Sequence, residues 1–158
     1  MPDQSSTPVT RRVFLGAAAG LASVIHRPAF AQAVAPSDRV RLAVIGVGNM
    51  GTGRLQQFMT HPDVEIAGIC DVDARHRDAA IALVQKTRGI APPGEGDFRR
   101  LVTRKDIDAV AIQTPDHWHA ITAVRAMEAG KDVFVEKPLS YSVAEGRAMA
   151  DASLRHTR

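Results

Sequence analysis

Residues 41–51 read RLAVIGVGNMG, an apolar run closed by three glycines in the pattern G-x-G-x-x-G, and the reading of this stretch decides the fold. A strand has to end near Ile45 and a helix has to open near Asn49 for those glycines to have mechanical tasks. Gly46 then permits a tight turn, Gly48 lets the backbone approach a ligand, and Gly51 lets the helix pack closely on the sheet. The helix N-terminus, entered through Asn49 and Met50, meets an anion with free N–H groups. That attraction is worth ~0.3 to 1 kcal/mol when exposed and up to ~2 kcal/mol when partly buried. The glycine pattern alone is a weak signal, and its context supplies the specificity.

Asp71 lies 20 residues after Gly51, at the end of the next apolar run, EIAGIC. A dinucleotide fold places a carboxylate there to hold the adenosine ribose hydroxyls while the glycine turn seats the pyrophosphate. The same carboxylate repels a 2′-phosphate. NAD is therefore the expected ligand, and NADP is the alternative that Arg75 and Arg77 would have to shelter.

From Val40 onward, strand-like runs alternate with helix-like segments: RLAVIG, a segment to His61, EIAGICD, ARHRDAAIALVQKTRG, FRRLVTRK, DAVAIQT, HWHAITAVRAMEAG, DVFVEK and VAEGRAMADASLRH. That rhythm predicts an α/β fold with a doubly wound parallel sheet, covered on both faces because its strands are almost continuously apolar. Gly130 is placed to close its helix, and Ser142 with Glu145 is placed to form a capping box for the last one. The Pro/Gly stretch GIAPPGEG at 89–96 leaves room only for a short third strand.

Composition narrows the function. The 158 residues are 45% hydrophobic and 23% charged, enough for one core. Few aromatic residues and scattered basic ones argue against a nucleic-acid partner. The single cysteine, Cys70, excludes an internal disulfide and reads as a buried, inert thiol.

The N-terminus reads differently from the rest. Arg11 and Arg12 precede Phe14 and Leu15, then the apolar run from Val13 to Ile25, then Ala29-Phe30-Ala31. A run of 13 residues is shorter than the ~20 needed to span a bilayer, while small-x-small suits a signal peptidase. Residues 1–31 are thus expected to be a twin-arginine signal peptide cleaved after Ala31, 32–38 a linker, and 39–158 the folded domain, exported to the periplasm with no stable membrane insertion. Loss of three basic residues (Arg11, Arg12, Arg27) and one acid (Asp3) lowers the counts from 20 and 17 to 17 and 16, a net charge of +1.

Two later strand ends should border the same cleft, since ligands of open α/β sheets lie beyond the carboxyl ends of the strands. After DAVAIQ comes TPDHWHA, in which Thr114 is placed to cap a helix with Pro115 in its first turn. His117 and His119, at i and i+2, face different ways; one is expected to look into the cleft and the other to cap or lie on the surface, and no nearby acid or cysteine completes a metal site. Trp118 reads as packing. After DVFV comes EKPLS, where Pro138 constrains Lys137 at a strand's end. Taken alone, Glu136 and Lys137 also read as a surface ion pair.

In order and spacing, G-V-G-N-M-G, C-D-V-D, T-P-D-H-W-H and V-E-K-P-L resemble the nucleotide-binding half of the Gfo/Idh/MocA oxidoreductases, over about residues 39–158. The resemblance implies a Rossmann domain that binds NAD(P) and is followed by a second α/β domain carrying much of the substrate site. It matches Gly46, Gly48 and Gly51 to the pyrophosphate loop and Asp71 to the ribose carboxylate. Thr114, Pro115 and His119 match the segment beside the cofactor, and Glu136, Lys137 and Pro138 match the E-K-P motif. The peptide before that proline is cis in the family, and the lysine reaches toward nicotinamide and substrate, making Lys137 the expected catalytic residue. The implied activity is hydride transfer between nicotinamide and a sugar- or polyol-like substrate in a full-length homo-oligomer. The family's NAD-dependent glycosidases are an alternative that Lys137 disfavours; a non-catalytic nucleotide-binding fragment is another. Family members are more than twice this length, so the chain reads as ending before the second domain and inactive by itself.

Overall fold

The computed structural model describes residues 38–158; residues 1–31, expected to be an export signal, and residues 32–37 of the expected linker lie outside the described residues. Strand β1 (Val40–Ile45) leads to helix α1 (Asn49–Phe58), β2 (Val64–Cys70), α2 (Ala74–Arg88), the two-residue β3 (Gly94–Glu95) and α3 (Phe98–Val102). Then come β4 (Ala109–Ile112), a 3-10 turn (Asp116–Trp118), α4 (His119–Glu128), β5 (Asp132–Val135) and α5 (Val143–His156). All strand pairs are parallel, in the order β3-β2-β1-β4-β5. The sequence grows outward from β1 in both directions, which is the winding that the alternation of runs implied.

Period-two patterning divides the core into two layers. Leu42 and Val44 of β1 face Leu55, Met59, Ala80 and Val84, which are residues of α1 and α2 together with the end of α1. Ala43 and Ile45 face the other way, toward Leu101, Ala123, Ala126, Met149 and Ala152. One irregularity lies in β2. Pairing with β1 shifts between Leu42, opposite Ile66, and Ala43, opposite Gly68. Ala67 is the extra residue of a β-bulge, and its carbonyl accepts a 3.1 Å hydrogen bond from Arg104.

Helix ends follow the local chemistry. Asp73 and Asp97 each accept a hydrogen bond from the backbone N–H two residues on, capping α2 and α3. Ser142 and Glu145 form the expected capping box on α5, an arrangement worth about 1 kcal/mol for the cap side chain. At the end of α4, Gly130 adopts φ +76°; its N–H donates to the Met127 carbonyl and that of Lys131 to the Ala126 carbonyl, a Schellman closure. Three segments are shorter than their sequence patterns. Helix α1 stops at Phe58 rather than His61, and Arg88 donates to the Met59 and His61 carbonyls beyond it. Helix α3 stops at Val102, and the chain before α4 runs as a 3-10 turn.

Asp108, just before β4, holds Arg41 of β1: the Arg41 backbone N–H and Nε donate to Oδ2 at 2.9 Å, and Nη2 donates to Oδ1 at 2.6 Å. Hydrogen bonding from the guanidinium, then from the backbone, holds the Asp108 carboxyl at about 2 against an ordinary 3.8. A folded-state value below the unfolded one means the contribution is fully present above about pH 4 and is lost as pH falls toward 2. Both side chains are 40% exposed, so the effect is modest. Asp108→Asn is expected to melt lower than the parent at neutral pH and to lose less of its melting temperature on acidification through that window. Parallel melting curves against pH for the two proteins would refute this.

Candidate functional site

The carboxyl ends of β1, β2, β4 and β5 open onto a cavity of about 910 Å³. Its wall includes Gly46, Gly48, Asn49, Met50, Gly51, Asp71, Thr114, Pro115, His119, Glu136, Lys137 and Pro138. Four segments far apart in the chain are thereby brought to one rim.

The turn after β1 is fixed by backbone proximity. Gly46 has φ +86°, and a Cβ there would stand 2.8 Å from the Thr114 nitrogen. A Cβ on Gly51 would stand 2.1 Å from the Gly46 carbonyl oxygen, so the first turn of α1 rests directly on the turn before it. Gly48 faces open space, with nothing within 4 Å of its Cβ position. It caps α1 without a side chain, and the helix has no acid in its first turn. Helix geometry leaves the N–H groups of Asn49, Met50 and Gly51 without intrahelical partners, and nothing negative on the helix competes for them.

Asp71 closes the other side of this turn. Its Oδ2 accepts from the Val47 N–H at 2.8 Å and its Oδ1 from the Asp73 N–H at 2.9 Å. A carboxylate offers about four acceptor positions, so each oxygen keeps one for a ligand hydroxyl. Cys70 beside it is buried, and burial, reinforced by the Asp71 charge, pushes its thiol up to about 12; the inert reading of this cysteine agrees. Arg75 pairs with Asp73 and Arg77 with Asp78.

The β4 end departs from expectation at Thr114. Its hydroxyl caps no helix and has no hydrogen-bond partner, because the 3-10 turn moves the start of α4 on to His119. The Thr114 carbonyl is used instead, facing His119 Nε2 at 2.8 Å, while His119 Nδ1 faces the Pro138 carbonyl at 2.8 Å. His119 is 1% exposed and so ties the β4 loop to the β5 loop. His117 lies outside, against Asp116. Trp118 packs edge-on to Phe98 with centroids 6.3 Å apart, yet it also stands half exposed in the cavity wall.

At the β5 end, Glu136 and Lys137 are not an ion pair. Glu136 is 6% exposed and accepts from Arg54 Nε at 2.8 Å and Nη2 at 3.4 Å. The Arg54 hydrogen bond, then the Lys137 backbone N–H, hold its carboxyl below the ordinary range against the opposing effect of burial. The Lys137 ammonium makes no hydrogen bond or salt bridge among the described residues and acts on the Glu136 carboxylate only through space, and the Lys137–Pro138 peptide is cis. Arg54 escaped the sequence reading because its partner is 82 residues away. Gln113 escaped too; the only hint was a polar residue closing the apolar run DAVAIQ.

These residues suit a dinucleotide. Free N–H groups at α1 match a diphosphate, open acceptors on Asp71 match a ribose, and the wall holds three buried polar atoms without partners, Gln113 Nε2 and Oε1 and Thr114 Oγ1. No group of three or more His, Cys, Asp or Glu that would hold a metal occurs among the described residues.

Comparison with known proteins points the same way. Residues 40–158 match the model of the Gfo/Idh/MocA family, described as an oxidoreductase family with an NAD-binding Rossmann fold. A glycosyl hydrolase family 109 protein of Shewanella pealeana is 41% identical over 75% of the chain, and one of Shewanella baltica is 35% identical over 93% of it. The chain spans 27% and 37% of the lengths of these relatives. Among solved structures, the WlbA dehydrogenase of Chromobacterium violaceum, in complex with NADH and UDP-GlcNAcA, superposes with TM-score 0.68 at 25% identity, over 77% of this chain and 34% of that one. The myo-inositol 2-dehydrogenase of Lactobacillus plantarum superposes with TM-score 0.65 at 25% identity, over 75% of this chain and 34% of that one.

The glycine geometry separates packing from binding. Gly51→Ala is expected to destabilise the domain by at least about 2 kcal/mol in denaturant melts, because backbone rather than a flexible side chain must move. Gly48→Ala is expected to melt within ~0.5 kcal/mol of the parent. Equal losses for both would refute the distinction.

Proposed function

The chain belongs to the Gfo/Idh/MocA oxidoreductase family, and from that premise we propose that it is the dinucleotide-binding part of an NAD-dependent enzyme acting on a sugar- or polyol-like substrate. The observation that carries the reading is the convergence of glycine turn, acid, buried histidine and unpaired lysine on one cavity. NAD is favoured over NADP because Asp71 faces the ribose position and both Arg75 and Arg77 are engaged with aspartates. Because the chain spans about a third of the solved relatives' lengths, the whole enzyme's activity is inferred from this part.

When bound, the nicotinamide supplies or accepts the hydride. The chain's own residues perform the other tasks. The α1 N–H groups and the Gly48 backbone hold the diphosphate, and Asp71 fixes the ribose, so orientation is set before any substrate arrives. Lys137 extends its side chain from the β5 rim to the oxygen on the substrate carbon that gives or takes the hydride; it takes the proton from that oxygen when the carbon is oxidised and returns it when the carbon is reduced. Arg54 and His119 keep the loop in place, one through the Glu136 carboxylate and the other through the Pro138 carbonyl.

The twin-arginine motif supports export of a folded, cofactor-loaded enzyme to the periplasm, and the family resemblance supports a homo-oligomer. A second reading, a glycosidase that oxidises its sugar transiently, is favoured by the names of the Shewanella relatives, the better at 41% identity. The unpaired Lys137 favours net hydride transfer.

Calorimetry with NAD tests the binding half. The parent chain is expected to bind, and Asp71→Ala to bind about tenfold or more weakly through loss of charge-assisted hydrogen bonds. In the enzyme carrying both halves, Lys137→Ala is expected to lower kcat by about a hundredfold or more while leaving NAD affinity within about twofold. An unchanged kcat would remove Lys137 from the mechanism. Released sugar without net NADH would establish the glycosidase instead.

A further inference from the structure

The carboxamide of Gln113 makes no hydrogen bond within the fold. The residue is 9% exposed, yet neither its amide nitrogen nor its oxygen has a hydrogen-bond partner, and the adjacent Thr114 hydroxyl is equally unpartnered. Buried polar groups are almost always paired, and leaving one unpaired lowers stability. Both residues line the cavity. The backbone beneath them is fixed, since Gln113 N–H donates to the Ile45 carbonyl at 2.8 Å. The Gln113 Cβ lies 3.2 Å from the Cβ position of Gly51, which puts the side chain on the side of the first turn of α1. Strand order places β2, with Asp71, on one side of β1 and β4, with Gln113, on the other. A dinucleotide crosses such a sheet at the point where the winding reverses, so its two nucleosides fall on opposite sides of β1.

We propose that Gln113, with the Thr114 hydroxyl, binds the nucleoside distal to Asp71, its carboxamide donating one hydrogen bond to a sugar hydroxyl and accepting another. The chemistry selects a hydroxyl-bearing group: a phosphate only accepts, and would leave Oε1 unpaired. This rests on the dinucleotide reading above and adds to it a residue outside the recognised motifs.

Gln113→Met and Gln113→Leu keep the volume and remove the polar atoms. Titration calorimetry with NAD and with AMP, together with melting curves without ligand, tests the proposal on the parent chain and both variants. The expected result is an NAD Kd about tenfold higher in the variants, from the loss of two hydrogen bonds, with AMP affinity unchanged and a ligand-free melting temperature equal to or above the parent's. Unchanged NAD affinity would overturn the proposal and leave the amide to bound water. AMP binding weakened as much as NAD binding, or a lowered ligand-free melting temperature in both variants, would also overturn it by assigning Gln113 to the adenylate half or to the scaffold. A parent chain that binds no NAD would defeat the dinucleotide reading itself; a parent that binds, with variants that bind equally well, would defeat only the role of Gln113.

Discussion

The absence of a Cβ at Gly51 is the constraint on which the site depends. With the Gly46 carbonyl oxygen 2.1 Å from where that atom would be, helix α1 can start only if its first turn sits on the bend that ends β1. Its N–H groups then lie over the strand ends, where Asp71 can hold the Val47 N–H. Its second turn carries Arg54 to the far rim, where the guanidinium reaches Glu136. One close backbone contact thus positions both walls of the cavity.

The acids of the site are largely occupied. Asp71 braces the glycine turn, Asp73 caps α2, Asp97 caps α3 and Glu136 holds Arg54. Each has its charge answered by N–H groups of the scaffold, an arrangement that rigidifies the rim. Against this background the Lys137 ammonium, the Gln113 amide and the Thr114 hydroxyl, whose polar atoms make no hydrogen bond, join the α1 N–H groups and the open Asp71 acceptors as the groups left to interact with a ligand. A site that leaves such groups unsatisfied in the free protein gives up some stability to retain them.

Much of this was legible in the sequence because the relevant physics is local. The strand runs, the glycine turn, the α5 capping box and the Gly130 closure are each determined within a few residues, and all appear where the patterns placed them. The rim could be anticipated because parallel sheets gather their strand ends. Interactions that join distant segments were not legible. Nothing near Arg54 announces Glu136, and nothing near His119 announces that its ring will bridge two carbonyls. Thr114 misled for the same reason: a cap pattern says that a helix follows, and the 3-10 turn delays it by four residues, leaving the hydroxyl in the cavity wall. Gln113 has no local signature because its meaning lies in what fails to surround it.

The extra residue in β2 has a consequence for the acid that follows it. Opposite the single Ala43 the strand spends two residues, Ala67 and Gly68, and from there on odd and even positions exchange sides. Asp71 inherits that exchange, which turns its carboxylate toward the diphosphate bend. The interval between the glycines and the acid therefore matters by parity as well as by length: the connection between α1 and β2 can grow or shrink freely, whereas dropping one residue inside β2 would aim the acid at the wrong layer of the molecule.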